Sequence, residues 1–297
     1  TSTLLIKGID FVDPVPGTNT FINFGATSTT RYVSNVTVED CSFTGSNQED
    51  IGFGPGSGSG AKNIVIKNCA VNNMGSLAQL GASGLTIEDC TFTDSLRGVN
   101  LQSSTGITIE GMSLTVPKYA VRVGQDALTP TDQTMTITDS TLISSGPTSN
   151  LADPETSLVL RGDAPKNIVI TNSTISNSNA GGCDIALDSN YAATATQYTL
   201  TFNNVNWGTD GMKLCGLEGA TIVTNTVHNT TQDTWYSTIQ AAIADADADD
   251  IIQLGAVTYN EVGQIVIDKN LTIVGADKAT TIIKPAQDTG GSGDARG

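Results

Sequence analysis

The chain has 297 residues, 31 of them glycine, and only 5% are aromatic and 15% charged. That is little aromatic mass for one compact core of this length, so an elongated, repeating core is expected. A formal charge of −16, from 30 acidic and 14 basic residues, excludes a surface that neutralises nucleic-acid phosphates and suits a solvated acidic exterior.

No apolar run is long enough to cross a bilayer, so no membrane insertion is expected. No secretory leader is seen, and the chain opens at Thr1 rather than Met, as a mature or excised segment would. The five cysteines, Cys41, Cys69, Cys90, Cys183 and Cys215, cannot all pair within the chain, and none has CxxC metal spacing.

One phrase recurs along the chain. It reads LLIKGIDF from Leu4, VTVEDCSF from Val36, IVIKNCAV from Ile64, LTIEDCTF from Leu85, ITIEGMSL from Ile107, MTITDSTL from Met135 and IVITNSTI from Ile168. Weaker copies follow near Thr199, Thr221 and Leu271, and successive starts lie about 21 to 33 residues apart. Each phrase alternates apolar and polar residues before its midpoint, the period of a strand with one buried face. Its fifth position holds Gly8, Asp40, Asn68, Asp89, Gly111, Asp139, Asn172 and Asn204, with Gly275 in the late copy. These residue types tolerate a left-handed backbone, so a bend is predicted there in every coil. A further strand follows in most coils: FINF at Phe21, IGFG at Ile51, GVNL at Gly98, AVRV at Ala120, SLVLRG at Ser157, DIALD at Asp184 and GMKL at Gly211.

Short parallel strands joined by tight bends and stacked like upon like describe an all-β solenoid, a right-handed single-stranded parallel β-helix. Residues 1–230 form a body of about nine coils, with Cys41, Cys69 and Cys90 in one internal column as small apolar side chains. His228, near the end of this body, reads as a solvated turn residue.

The segment 231–297 differs. Ser237 is the expected N-cap of a short helix near 238–246, with Ile239, Ala242, Ile243 and Ala246 on one face. Strands are predicted at 251–254, 264–267 and 271–274. The run TIQAAI…DDIIQL…VTYNE…NLTIVG resembles the opening of the pectate-lyase-like superfamily of secreted β-helix proteins, where it forms the cap helix and first coils. In that family the cap comes first, and here it follows the coils. The body therefore reads as one β-helix and 231–297 as the head of another. This fits a unit of a tandem array, or coils completed between chains, copies of the protein meeting head to tail.

The resemblance implies an extracellular or cell-surface location and, as an alternative to a structural subunit of a surface protein or fibre, a domain that binds or cleaves acidic polysaccharides, as a lyase. No catalytic set is found, and the chain leans away from being an enzyme. The candidate ligand-binding residues are Arg122 with Asp126 and Arg161 with Asp163, in consecutive coils, with Arg97 in the coil before; ion pairs between coils account for them equally well. Asp245, Asp247, Asp249 and Asp250 alternate as calcium ligands do, but without the glycine and distal glutamate of a calcium loop, so no cofactor is expected beyond that possibility of calcium. Sequons at Asn35, Asn172, Asn229 and Asn270 are candidate glycosylation sites.

Overall fold

The computed structural model describes residues 3–13, 20–23, 33–46, 50–54, 61–102, 104–125, 131–147, 151–162, 164–191 and 194–284. Two compact units emerge: Thr1–Leu200 with Val205–Thr221, and Thr201–Asn204 with Ile222–Gly297.

The first unit is a stack of three-strand coils that build three parallel sheets. The first sheet takes Leu4–Lys7, Ser34–Glu39, Ala61–Lys67, Ala82–Glu88, Thr105–Glu110, Thr131–Thr138 and Pro165–Thr171 in that spatial order. The second runs from Asp10–Val12 to Thr174–Asn177, and the third from Thr20–Asn23 to Leu214–Cys215. Each strand pairs with its counterpart one coil away, so sequence neighbours are never sheet neighbours. This is a parallel β-helix.

The alternation of the repeat sets the register. Val36, Ile64, Leu85, Ile107, Met135 and Ile168 form one interior column, and Val38, Ile66, Ile87, Ile109, Ile137 and Ile170 a second. All of these side chains are buried. The residues between them, such as Thr37, Val65 and Thr86, face outward. A one-residue slip would turn every column inside out, which fixes the pairing.

The bend has the backbone that the repeat predicts. Gly8, Asp40, Asn68, Asp89, Gly111, Asp139, Asn172 and Asn204 have φ between 48° and 65°. The interstrand ladder passes straight through the corner: Asp40 N–H donates to Lys67 O at 3.2 Å, Asn68 to Glu88 O at 3.0 Å, and Asp89 to Glu110 O at 2.9 Å. The N–H of each of these corner residues stays bonded to the next coil, which offsets part of the left-handed strain. Gly275 departs from the pattern: it has no positive φ and closes the strand Thr272–Gly275. A second left-handed column, Asn35, Asn63, Gly84 and Gly106, lies within the strands of the first sheet, near their starts, and the repeat does not predict it. Nor does it predict the strand Ser76–Gln79, which supplies the third side of its coil.

Among the described residues the first coil is covered on one side only. Its three strands each have one neighbour among the described residues, and Leu4, Leu5, Ile9 and Val12 are 50%, 56%, 43% and 61% exposed. Beneath it Phe11 stacks on Phe43 at 4.9 Å, and Phe43 meets Phe53 edge-on at 5.1 Å.

In the second unit, Val227–Asn229 pairs antiparallel with Thr234–Tyr236 and with Ile251–Leu254, which pairs parallel with Thr272–Gly275. The α-helix Ile239–Asp245 lays Ile239, Ala242 and Ile243 against Val227, Ile252, Leu254 and Tyr259. Its N-cap is Thr238, not Ser237: the Thr238 hydroxyl accepts from Ala241 N, and Glu261 caps the Ile239 N–H at 3.0 Å. No strand forms at 264–267. There the Val266 N–H donates to the Gln240 side chain at 2.8 Å, and Val266 and Ile267 are half exposed.

Candidate functional site

The outer face of the third sheet carries the densest polar cluster around the predicted binding residues. Val121 and Val123 point inward, so Arg122 between them points out. Its Nε donates to Asn100 Oδ1 at 3.2 Å, its guanidinium lies over the Tyr119 ring at 4.2 Å, and burial pulls its pKa below the ordinary arginine value. Arg161, one coil on, lies over the Tyr191 ring at 4.3 Å and donates from Nε to the fully buried Asp188 at 2.9 Å. Arg97 reaches the Tyr119 ring at 5.7 Å.

The arginines thus come together as expected, through partners the repeat did not reveal. Asp153 bridges them, 3.5 Å from Arg122 and 3.8 Å from Arg161, and Asp188 holds Arg161 from below. Asp126 and Asp163 lie outside the described residues. Burial raises the Asp188 carboxyl above the usual aspartate range even beside Arg161. The arrangement neutralises buried charge between coils, and the two tyrosines add cation–π contacts.

The other candidates separate. Asn229 is fully buried, donates to Asp250 at 2.7 Å and accepts from Thr231 N and Gln232 N, so no glycan can be attached without breaking this network. Asn35 accepts from the Asn63 amide at 2.9 Å, whereas Asn172 and Asn270 are exposed. Of the four clustered aspartates, Asp245 accepts from Tyr236, Asp247 from Gln232, and Asp250 from Asn229, Gln232 and the Asp247 N–H. Among the described residues no group of three or more His, Cys, Asp or Glu side chains surrounds a common ion position. His228 is no turn residue. It sits within Val227–Asn229, stacked on Trp235 at 4.2 Å and 2.9 Å from Asp233.

Cys183 and Cys215 form a disulfide with Cα atoms 6.0 Å apart, beside the end strand of the third sheet, while Cys41, Cys69 and Cys90 are free and buried. Next to the disulfide, Asp184 is buried and accepts N–H bonds from Asn177 and Lys213, each at 2.8 Å. Burial outweighs those bonds and raises its pKa above the ordinary 3.8. A carboxyl with a raised folded-state pKa stabilises most when protonated and loses that contribution as pH rises through the folded value. The stability of the native chain relative to Asp184→Asn is therefore expected to fall as pH rises from about 3 through the carboxylate range. Urea unfolding of both proteins at several pH values measures this; a gap independent of pH would refute it.

Residues 18–149 match the family model for a right handed beta helix region. Comparison with curated proteins gives no match, and comparison with solved structures gives none. The matched stretch and the sheets that carry the same coil beyond it agree: the first unit is a right-handed parallel β-helix.

Proposed function

We propose that this chain is an extracellular structural β-helix subunit of a surface protein or fibre, and that its coils extend by end-to-end pairing with another copy. The exposed first coil carries this reading. An open parallel strand edge backed by half-exposed Leu4 and Ile9 accepts a further strand, because pairing would satisfy its backbone and bury its apolar side chains together. In the second unit, Thr272–Gly275 and Ile282–Lys284 likewise have one neighbour each among the described residues, with Val274, Ile282 and Ile283 exposed. A contact between unlike surfaces whose rotation does not close repeats indefinitely and yields rods or fibres. The Cys183–Cys215 disulfide supports an oxidising, extracellular setting.

Binding of an acidic polysaccharide at Arg122 and Arg161 is the second reading, favoured by the tyrosines under both guanidiniums. It ranks lower because Asp153 and Asp188 already meet those charges.

Light scattering over a range of concentrations should show the native chain lengthening into rods, with Leu4→Asp/Ile9→Asp folded but monomeric. A native chain that stays monomeric at the highest concentration would overturn the proposal.

A further inference from the structure

Four sulfur-bearing residues occupy one interior column in four consecutive coils. Glu39, Lys67, Glu88 and Glu110 align on one side of the corner, and Ser42, Ala70, Thr91 and Ser113 on the other. Cys41, Cys69, Cys90 and Met112 lie between these aligned flanks. They are 3%, 1%, 0% and 0% exposed.

The three thiols are equivalent in direction as well as in register. Each Sγ contacts the carbonyl two residues back: Glu39 O at 3.2 Å, Lys67 O at 3.2 Å and Glu88 O at 3.4 Å. Each also lies 3.9 to 4.0 Å from the same carbonyl of the preceding coil, those of Ile6, Val38 and Ile66. Side chains with the same contacts repeat at the spacing of the strands, about 4.7–4.9 Å. With a metal–sulfur bond of roughly 2.3 Å, the zinc–thiolate value, an ion bound linearly between two thiolates spans about 4.6 Å. The column therefore has the pitch of a two-coordinate sulfur chain.

We propose that Cys41, Cys69, Cys90 and Met112 form a binding column for soft monovalent metal ions, Cu(I) or Ag(I), each held between successive sulfurs. Thiolate and thioether sulfur select such ions over harder ones. Three ions fit: between Cys41 and Cys69, between Cys69 and Cys90, and between Cys90 and the flexible Met112 thioether. Each ion displaces one thiol proton, so three monovalent ions enter and three protons leave. Three thiolates, three cations and a neutral thioether sum to zero charge, which a dry interior requires. Entry requires transient local opening of a coil beside the column.

The column itself supplies the control. Farther along, the same position holds Ser140 and Ser173, each bonded to the carbonyl two residues back at 2.8 Å. Cys→Ser is therefore a replacement the fold already uses.

The test is silver(I) titration of the full chain, disulfide intact, in chloride-free buffer. Bound ions are counted by native mass spectrometry, released protons by pH-stat and the fold by far-ultraviolet dichroism. The native chain is expected to take three silver ions and release three protons without losing its strand spectrum. Cys69→Ser, which leaves only the Cys90–Met112 pair, should take at most one, and Met112→Leu two. No uptake by the folded native chain, uptake only on unfolding, or three ions retained by both variants overturns the proposal.

Discussion

Replacing Arg161 with methionine is expected to lower the unfolding free energy by about 3–5 kcal/mol near neutral pH, the usual cost of leaving one member of a buried ion pair without its partner. Asp188 is fully buried and receives the Arg161 Nε at 2.9 Å. With Arg161 gone, the Asn190 N–H, which donates to Asp188 at 3.1 Å, is weak compensation for a lost full charge. The loss should shrink in acid, because the orphaned carboxyl, already raised above the usual range by burial, then takes up a proton. Adding Asp188→Asn to the variant should recover part of the loss. Urea midpoints at constant m-value read all three effects, and a loss below about 1 kcal/mol for the single variant would show that the pair is not coupled as described.

Phe43→Ala should cost a similar amount, about 3–5 kcal/mol, from lost transfer energy and the cavity left behind. Phe43 is fully buried and touches three other rings: Phe11, Phe53 and Phe21, the last at 6.0 Å. Since each coil rests only on its neighbours, the damage should be local. Amide exchange should show the strands from Leu4 to Gly54 losing protection, while Leu158–Leu160 and Ile185–Leu187 keep theirs. Uniform loss along the stack would mean that the coils unfold as one cooperative block instead.

The columns and corners were legible in the sequence because each depends on a local rule repeated many times. Alternation assigns faces, and a left-handed corner admits few residue types, so Asp40, Asn68 and Asp89 announce themselves. Ser76–Gln79 was missed because its short SLAQ run carries little alternation to set it apart from a loop. The segment 264–267 reads as a strand because QIVI is rich in β-branched residues, yet Gln240 captures the Val266 N–H. At the arginine cluster the repeat placed Arg122 and Arg161 in adjacent coils but could not find Asp153, which arrives from the aperiodic stretch between Ser144 and Leu158. The disulfide was hidden by its offset. Cys215 aligns with Ala186, not with Cys183, so strict stacking does not pair the two cysteines.

Coil length is decoupled from coil rise. The corner residues and the ladder running through them hold successive rungs in register whether the return arc is short, as from Leu101 to Thr105, or long, as from Asn23 to Ser34. The number of residues between strands leaves the axial repeat untouched. Such connections are natural splice points, where a guest peptide could be displayed at a chosen coil without disturbing the rungs on either side.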